Sequence, residues 1–326
     1  MNQSYEITVD SSMDSVNKTP EFQGFADFIA PNAQAGGDFA AAPFSSFSSI
    51  GWNPESIRDG YSRLREICKQ GKKVFYPLWK EEQLQIEPAL KQRFLVHFPT
   101  ERKSPFFILC AGGAYQGCAS MVEAYPSCVH MNNLGYHAFV LNYRAGKDAL
   151  APNPMDDLAF AISYIQEHAE ELNVEKEHYV VCGFSAGGHL AACFGSESLG
   201  WKHYHLSSPG AVFLAYPVIT MLDKTHPLSR DTLLGTDAVN HPDLLSKYSA
   251  EKQVTREYPP TFIWQCSQDY EVPIENSQQM VQALESNHIP YIYETFDSNA
   301  HGWGAGDKTL AEGWLERAVD FWKNQL

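Results

Sequence analysis

Ser185 lies in Gly183-Phe184-Ser185-Ala186-Gly187, a Gly-x-Ser-x-Gly run whose spacing suits a serine that attacks a carbonyl carbon. A serine hydroxyl is a weak nucleophile at neutral pH and needs a base within hydrogen-bond reach. The chain offers twelve histidines, and position along the chain selects among them. His301, in Asn299-Ala300-His301-Gly302-Trp303-Gly304, follows the last expected strand on a glycine-flanked loop. His189 is its rival by proximity in sequence. Four residues into the helix after the serine, however, it points back along that helix and is better placed to support the turn. The base must in turn be held in one tautomer by an acid. Asp269, in Ser267-Gln268-Asp269-Tyr270-Glu271-Val272-Pro273, follows the penultimate strand and is the expected partner. Asp297 lies nearer in sequence but at the end of the histidine's own strand, and Glu271 is longer and further from its strand.

Acyl transfer also creates an oxyanion that needs N–H donors. One is the backbone N–H of Ala186, directly after the serine. The second comes from Cys110-Ala111-Gly112-Gly113-Ala114-Tyr115, as the N–H of either Gly113 or Ala114. The side chains of Tyr115 and Trp303, each beside one of these segments, are candidate walls of a substrate pocket. His203 and His205 form a His-x-His with no further ligand at metal spacing, so no metal is indicated.

These groups require a frame. Tyr179-Val180-Val181 reads as a buried strand and residues 190–194 as a helix body, so Ser185 sits on a tight strand-to-helix turn that pushes its hydroxyl out of the backbone line. Further strands are expected at residues 74–79, 93–99, 105–110, 137–143, 211–216, 261–266 and 291–296, with helices near 122–134, 154–172 and 274–287. A terminal helix should bear Leu310, Trp314, Ala318 and Phe321. Pro77 demotes the first strand to a sheet edge. Asp156 and Asp157 complement the positive end of the 154–172 helix, whose Leu158, Ala161, Ile162, Ile165, Ala169 and Leu172 form one apolar face. Residues 219–260 read as an irregular, Pro-rich insertion. Strands alternating with helices specify an α/β fold, a mostly parallel sheet covered on both faces, with ligands bound beyond the carboxyl ends of the strands. Ser185, Gly113, Asp269 and His301 all fall at that edge.

Composition bounds the function. Lys plus Arg number 24 against 39 Asp plus Glu, a net charge of −15 that repels phosphate backbones and anionic lipid, so neither nucleic acid nor membrane is an expected partner. The seven cysteines form no Cys-x-x-Cys and mostly sit in apolar runs, as reduced core thiols do. Met1-Asn2-Gln3-Ser4-Tyr5-Glu6 lacks the basic start and apolar stretch of a secretory leader, and the expectation is a cytoplasmic protein. Residues 1–72 form an extension to a catalytic domain of residues 73–326. Its first part, including Ala35-Gly36-Gly37-Asp38-Phe39 and Pro43-Phe44-Ser45-Ser46-Phe47, has no sustained period, yet its phenylalanines call for burial against the body, as part of a cover over the site. Asn53-Pro54-Glu55-Ser56 opens a helix carrying Ile57, Tyr61, Leu64 and Cys68. The sequence leaves open whether the chain is a homo-oligomer.

The chain resembles the α/β-hydrolase esterases, and within them the bacterial acetyl esterase and acetylxylan-esterase-like group. The resemblance runs from about residue 73 to the C-terminus. It rests on Gly112-Gly113-Ala114-Tyr115, Asn142-Tyr143-Arg144, Ala151-Pro152 with Asp157, Gly183 through Ala191, Tyr216-Pro217-Val218, Leu233-Leu234-Gly235, Pro259-Pro260-Thr261, Asp269 through Asn276-Ser277, and His301-Gly302. It implies hydrolysis of short-chain esters, often acetyl groups on sugars, by Ser185, Asp269 and His301 without a cofactor and on a small-molecule ester substrate. Cys110-Ala111 departs from the Pro-Gly-Gly or His-Gly-Gly common in the family, and the first seventy or so residues have no counterpart in it. The rival readings are a serine peptidase of the same fold, for which the sequence offers no site for a peptide's charged end, and a binding module that kept the fold without the chemistry. Labelling by a fluorophosphonate separates the last from an enzyme.

Overall fold

The computed structural model describes residues 6–31 and 38–326; residues 1–5 and 35–37, quoted above, lie outside them. Eight strands form one sheet: β1 (Phe75–Pro77), β2 (Phe94–Phe98), β3 (Ser104–Cys110), β4 (His137–Asn142), β5 (Val174–Phe184), β6 (Ala211–Ala215), β7 (Thr261–Cys266) and β8 (Tyr291–Phe296). Their order is β1-β2-β4-β3-β5-β6-β7-β8. The β1–β2 and β2–β4 pairs are antiparallel and all others parallel. Pro77 stands on the edge strand, where its missing N–H costs no ladder bond. β3, β6 and β7 are buried nearly throughout, as central parallel strands covered on both faces must be. β5 is longer than its apolar run. Its exposed residues 175–178 continue the strand because Ser104 and Pro105 of β3 still pair with Val174 and Glu175 across a register shift.

The principal helices are α1 (Pro54–Lys69), α2 (Ala124–Asn133), α3 (Asn153–Glu167), α4 (Ser185–Phe194), α5 (Glu275–Ser286) and α6 (Trp314–Lys323). Asn53 caps α1, its side chain accepting the Glu55 and Ser56 N–H groups at 3.0 and 3.3 Å. Leu310, expected on the terminal helix, lies before α6 and is 61% exposed. The insertion between β6 and β7 is more regular than its composition suggests. Pro227 and Pro242 begin helices Pro227–Leu234 and Pro242–Lys247, where a fixed φ helps and the missing N–H would have had no partner. Among the described residues no helix is long and apolar enough to cross a membrane.

The extension packs on the sheet face that also receives α2 and α6. Val16, Phe22, Ile29, Phe44 and Phe47 share a core with Val96, Leu109, Phe184 and Trp314. Phe44 stacks on Tyr61 of α1 at 5.6 Å, and the Tyr61 hydroxyl donates to the Ile29 carbonyl at 2.8 Å. Phe39 departs from expectation, being 61% exposed. A polar clamp then fixes α1 to the chain beyond His301, through Ser56 Oγ to Asp307 at 2.5 Å and His130 of α2 to the same carboxylate at 2.9 Å.

Asp157 does not serve the dipole of α3 as expected. It is fully buried, accepts the Arg144 N–H at 2.8 Å and pairs with the Arg144 guanidinium at 2.9 Å and that of Arg93 at 3.6 Å. Removing it would leave two buried cations with a reduced set of partners. Asp157→Ala is therefore expected to destabilise the fold by about 3–5 kcal/mol, measured by urea unfolding; a loss below about 1 kcal/mol would contradict this account.

Candidate active site

β5 runs into α4 with no intervening residue, and at the junction Ser185 adopts φ +49°. So sharp a turn brings backbone onto backbone. A Cβ on Gly183 would stand 2.1 Å from the Gly187 carbonyl oxygen, and one on Gly187 would stand 2.1 Å from that of Cys110. Both glycines are thus required for the turn to close against β3. Ser185 is 7% exposed, and its carbonyl accepts the Val218 N–H at 3.0 Å.

His301 and Asp269 meet this serine from separate loops. His301 Nε2 lies 2.8 Å from Ser185 Oγ, and His301 Nδ1 lies 2.9 Å from Asp269 Oδ2 and 3.1 Å from Oδ1. A carboxylate only accepts, so Nδ1 carries the proton and Nε2 is free to accept from the serine. The Asp269 side chain is fully buried. Its Oδ1 accepts the N–H groups of Glu271 and Val272, each at 2.9 Å, and its Oδ2 accepts the Gln265 amide at 3.1 Å. Asp297 instead faces outward, taking the Gln268 amide at 2.9 Å, and Glu271 reaches His226 at 3.4 Å.

Gln265 was not foreseen. Ser277 donates to its Oε1 at 2.6 Å, which turns its NH₂ toward Asp269 and the Val272 carbonyl. The signal in the sequence was an amide inside an otherwise apolar strand. Glu123 was not foreseen either: buried before α2, it accepts the Gly112 N–H at 2.5 Å and supports the loop that Cys110-Ala111 left without a familiar prop. Gly112 N–H is taken by this carboxylate, and the two candidates from the sequence, Gly113 and Ala114, follow it at φ +120° and +54°. The Ala186 N–H lies in the first turn of α4, where no intrahelical acceptor is available.

Tyr115 corrects an expectation. It is 1% exposed and forms no open wall; its hydroxyl donates to His189 Nδ1 at 2.8 Å. The direction follows from His189 Nε2, which lies 2.7 Å from the Tyr248 carbonyl and must donate to it. Burial lowers the His189 imidazole to about 4, against its bond to that carbonyl, so this histidine is neutral and committed on both nitrogens. It ties α4 to the loop of Gly113 and Ala114. Trp303, the other expected wall, is half-buried and stacks on Trp264 at 6.0 Å. Beside it, a Cβ on Gly302 would stand 3.1 Å from the ring of Trp52, a residue of the extension. Trp52 also lines a cleft of about 440 Å³ with Phe28, Phe47, Tyr61, Ala119 and Val122.

A mostly parallel sheet with a serine elbow and an imidazole–carboxylate pair at its carboxyl edge defines the α/β-hydrolase class. Within that class the chain belongs to the BD-FAE family, which matches residues 96–284. It is 30% identical over 81% of its length to endo-1,4-beta-xylanase B of Butyrivibrio fibrisolvens and 26% identical over 70% to the acetylxylan esterase of Xylanibacter ruminicola. It spans 43% and 47% of those two proteins. Among solved structures it resembles the acetyl ester-xyloside bifunctional hydrolase of Caldicellulosiruptor lactoaceticus, with TM-score 0.68, 30% identity, and coverage of 77% of this chain and 95% of that one.

Proposed function

We propose that this protein is a serine carboxylesterase acting on short-chain esters, with acetylated sugars as the substrate class. The observation that carries the reading is the Ser185–His301–Asp269 hydrogen-bond chain at the elbow. In the first half-reaction Ser185 Oγ attacks the ester carbonyl carbon and its proton passes to His301 Nε2. The carbonyl electron pair moves to oxygen, facing the N–H of Ala186 and that of Gly113 or Ala114. Collapse breaks the bond to the alcohol, which leaves with the His301 proton, and Ser185 is left acylated. In the second half-reaction water gives its proton to His301 and attacks the acyl carbon. Ser185 departs with that proton and the acid is released. Asp269 stays ionised and stabilises the imidazolium formed in each half.

The names of the relatives favour acetyl esters of xylan-type sugars. Short acyl chains also suit the insertion between β6 and β7, whose helices Pro227–Leu234 and Pro242–Lys247 span eight and six residues, too short for a long apolar lid. Acetyl esters are therefore expected to exceed octanoyl esters in kcat/KM, by about tenfold or more. A panel of acetyl, butyryl and octanoyl esters with acetylated sugars and peptides checks this, and an equal or greater value for octanoyl would refute it. The extension bears on the alcohol side through Trp52. Trp52→Ala should change KM for bulky alcohols by about 3- to 10-fold and for methyl acetate hardly at all. Equal effects on both would remove the extension from the substrate's path.

A further inference from the structure

Glu123 is a carboxyl that this reaction does not use. It is 3% exposed, on the far side of the loop that carries Gly113 and Ala114. Its Oε2 accepts the Gly112 N–H at 2.5 Å, its Oε1 accepts the Tyr216 hydroxyl at 2.9 Å, and that hydroxyl accepts the Gly304 N–H at 3.2 Å. Both ends of this chain of bonds are backbone N–H groups, which only donate, so Glu123 Oε2 accepts from Gly112 and the Tyr216 oxygen accepts from Gly304, leaving the Tyr216 proton to point at Glu123 Oε1. An ionised carboxylate accepts from both sides with no donor of its own, so every donor of the chain then has its acceptor. Gly112 directly precedes the oxyanion donors, and Gly304 lies three residues after His301. The chain also passes close behind the nucleophile. A Cβ on Gly112 would stand 2.8 Å from Ser185 Cβ and 3.2 Å from Glu123 Oε1, and the Tyr216 ring lies edge-on to the His301 imidazole at 5.1 Å.

Resting on the assignment of Ser185, His301 and Asp269 above, we infer that Glu123 is a positioning residue whose ionised carboxylate holds the oxyanion loop and the histidine loop at one spacing about Ser185. Burial raises the Glu123 carboxyl to about 7, against the Gly112 and Tyr216 hydrogen bonds and the neighbouring His301. Its other ionisable neighbours, Tyr216, Cys182, Cys118 and Tyr143, are pushed upward by burial and stay neutral. His301 is the neighbour that the reaction itself protonates. Protonating Glu123 removes the charge that strengthens both bonds and puts a proton opposite that of Tyr216, which loosens the chain of bonds, so activity should fall on the acid side with Glu123 as well as with the base. For stability the sign is opposite. The folded value lies above the ordinary 4.5, so the contribution of this group is full below 4.5 and is lost as pH rises through about 7.

The test measures kcat and KM for 4-nitrophenyl acetate from about pH 5 to about pH 9 in wild type, Glu123→Gln, Tyr216→Phe and the double variant, with Tm for each. Gln keeps the shape but carries no charge, and its NH₂ replaces one of the two carboxylate oxygens that accept in this chain of bonds. It should lower kcat by about 10²-fold with KM within about threefold, and reduce the acid limb of log kcat from a slope approaching two to a slope of one. Tyr216→Phe should lose less, and the double variant no more than Glu123→Gln, because Tyr216 acts through the same carboxylate. The Tm of Glu123→Gln should rise relative to wild type as pH increases. A wild-type kcat and acid limb in Glu123→Gln, or a kcat loss matched by a fall in Tm, overturns the inference while Ser185→Ala remains inactive. A wild type that cleaves no ester, or an active Ser185→Ala, overturns the functional reading and this inference with it.

Discussion

Ser185→Ala is expected to lower kcat for aryl acetates by about 10⁴- to 10⁶-fold while leaving stability within about 1 kcal/mol. The two halves of this expectation have separate causes. The hydroxyl is the atom that would form the acyl bond, and His189 cannot replace it, because Tyr115 and the Tyr248 carbonyl hold both its nitrogens. The fold, in contrast, uses the residue mainly through its backbone. Its carbonyl accepts from Val218, and its φ of +49° is as accessible to alanine as to serine. Steady-state hydrolysis together with urea unfolding checks both halves. A variant that is folded and retains more than about a hundredth of wild-type kcat would remove Ser185 from the nucleophile's role.

Asp269→Asn should cost about 10⁴ in kcat, as in serine proteases with the same constellation, whereas Asp297→Asn should cost about tenfold or less. The surroundings of Asp269 decide how an asparagine would sit. The N–H groups of Glu271 and Val272 require an acceptor at the Oδ1 position, so the NH₂ is forced to the Oδ2 position. There it faces His301 Nδ1 at 2.9 Å and the Gln265 NH₂ at 3.1 Å. The imidazole would answer by accepting on Nδ1 and carrying its proton on Nε2, where it could no longer take the serine proton. Among the described residues Asp297 binds the exposed Gln268 and Ser267 side chains, so its amide would change little at the site. The comparison needs both variants at matched Tm. A larger loss from Asp297→Asn would reassign the acid and leave Ser185 and His301 standing.

Local pattern carries far in this sequence. Apolar runs of strand length alternating with amphipathic helices define the sheet, because burial on one or two faces is written into consecutive residues. Gly183 and Gly187 mark the elbow, since only a residue without Cβ survives at 2.1 Å from a carbonyl oxygen. Chain order then separates Asp269 from Asp297, because adjacent parallel strands present their following loops side by side at one edge of the sheet.

Long-range polar contacts carry no such period. Asp157 reads from its neighbours as a charge at a helix start, yet Arg144 and Arg93 reach it from other elements. Tyr115 reads as an aromatic beside a pocket, and its hydroxyl is bound to a histidine 74 residues away. Glu123 and Tyr216, 93 residues apart, meet only because the start of α2 and the end of β6 converge under the loop that begins at Gly112. By itself the sequence determined which residues could react and which edge of the sheet would gather them, because hydrophobic periodicity and glycine sterics are local. Only the tertiary structure decided which buried polar groups hold those residues in place, because a buried donor must find its acceptor wherever packing brings one, at any distance along the chain.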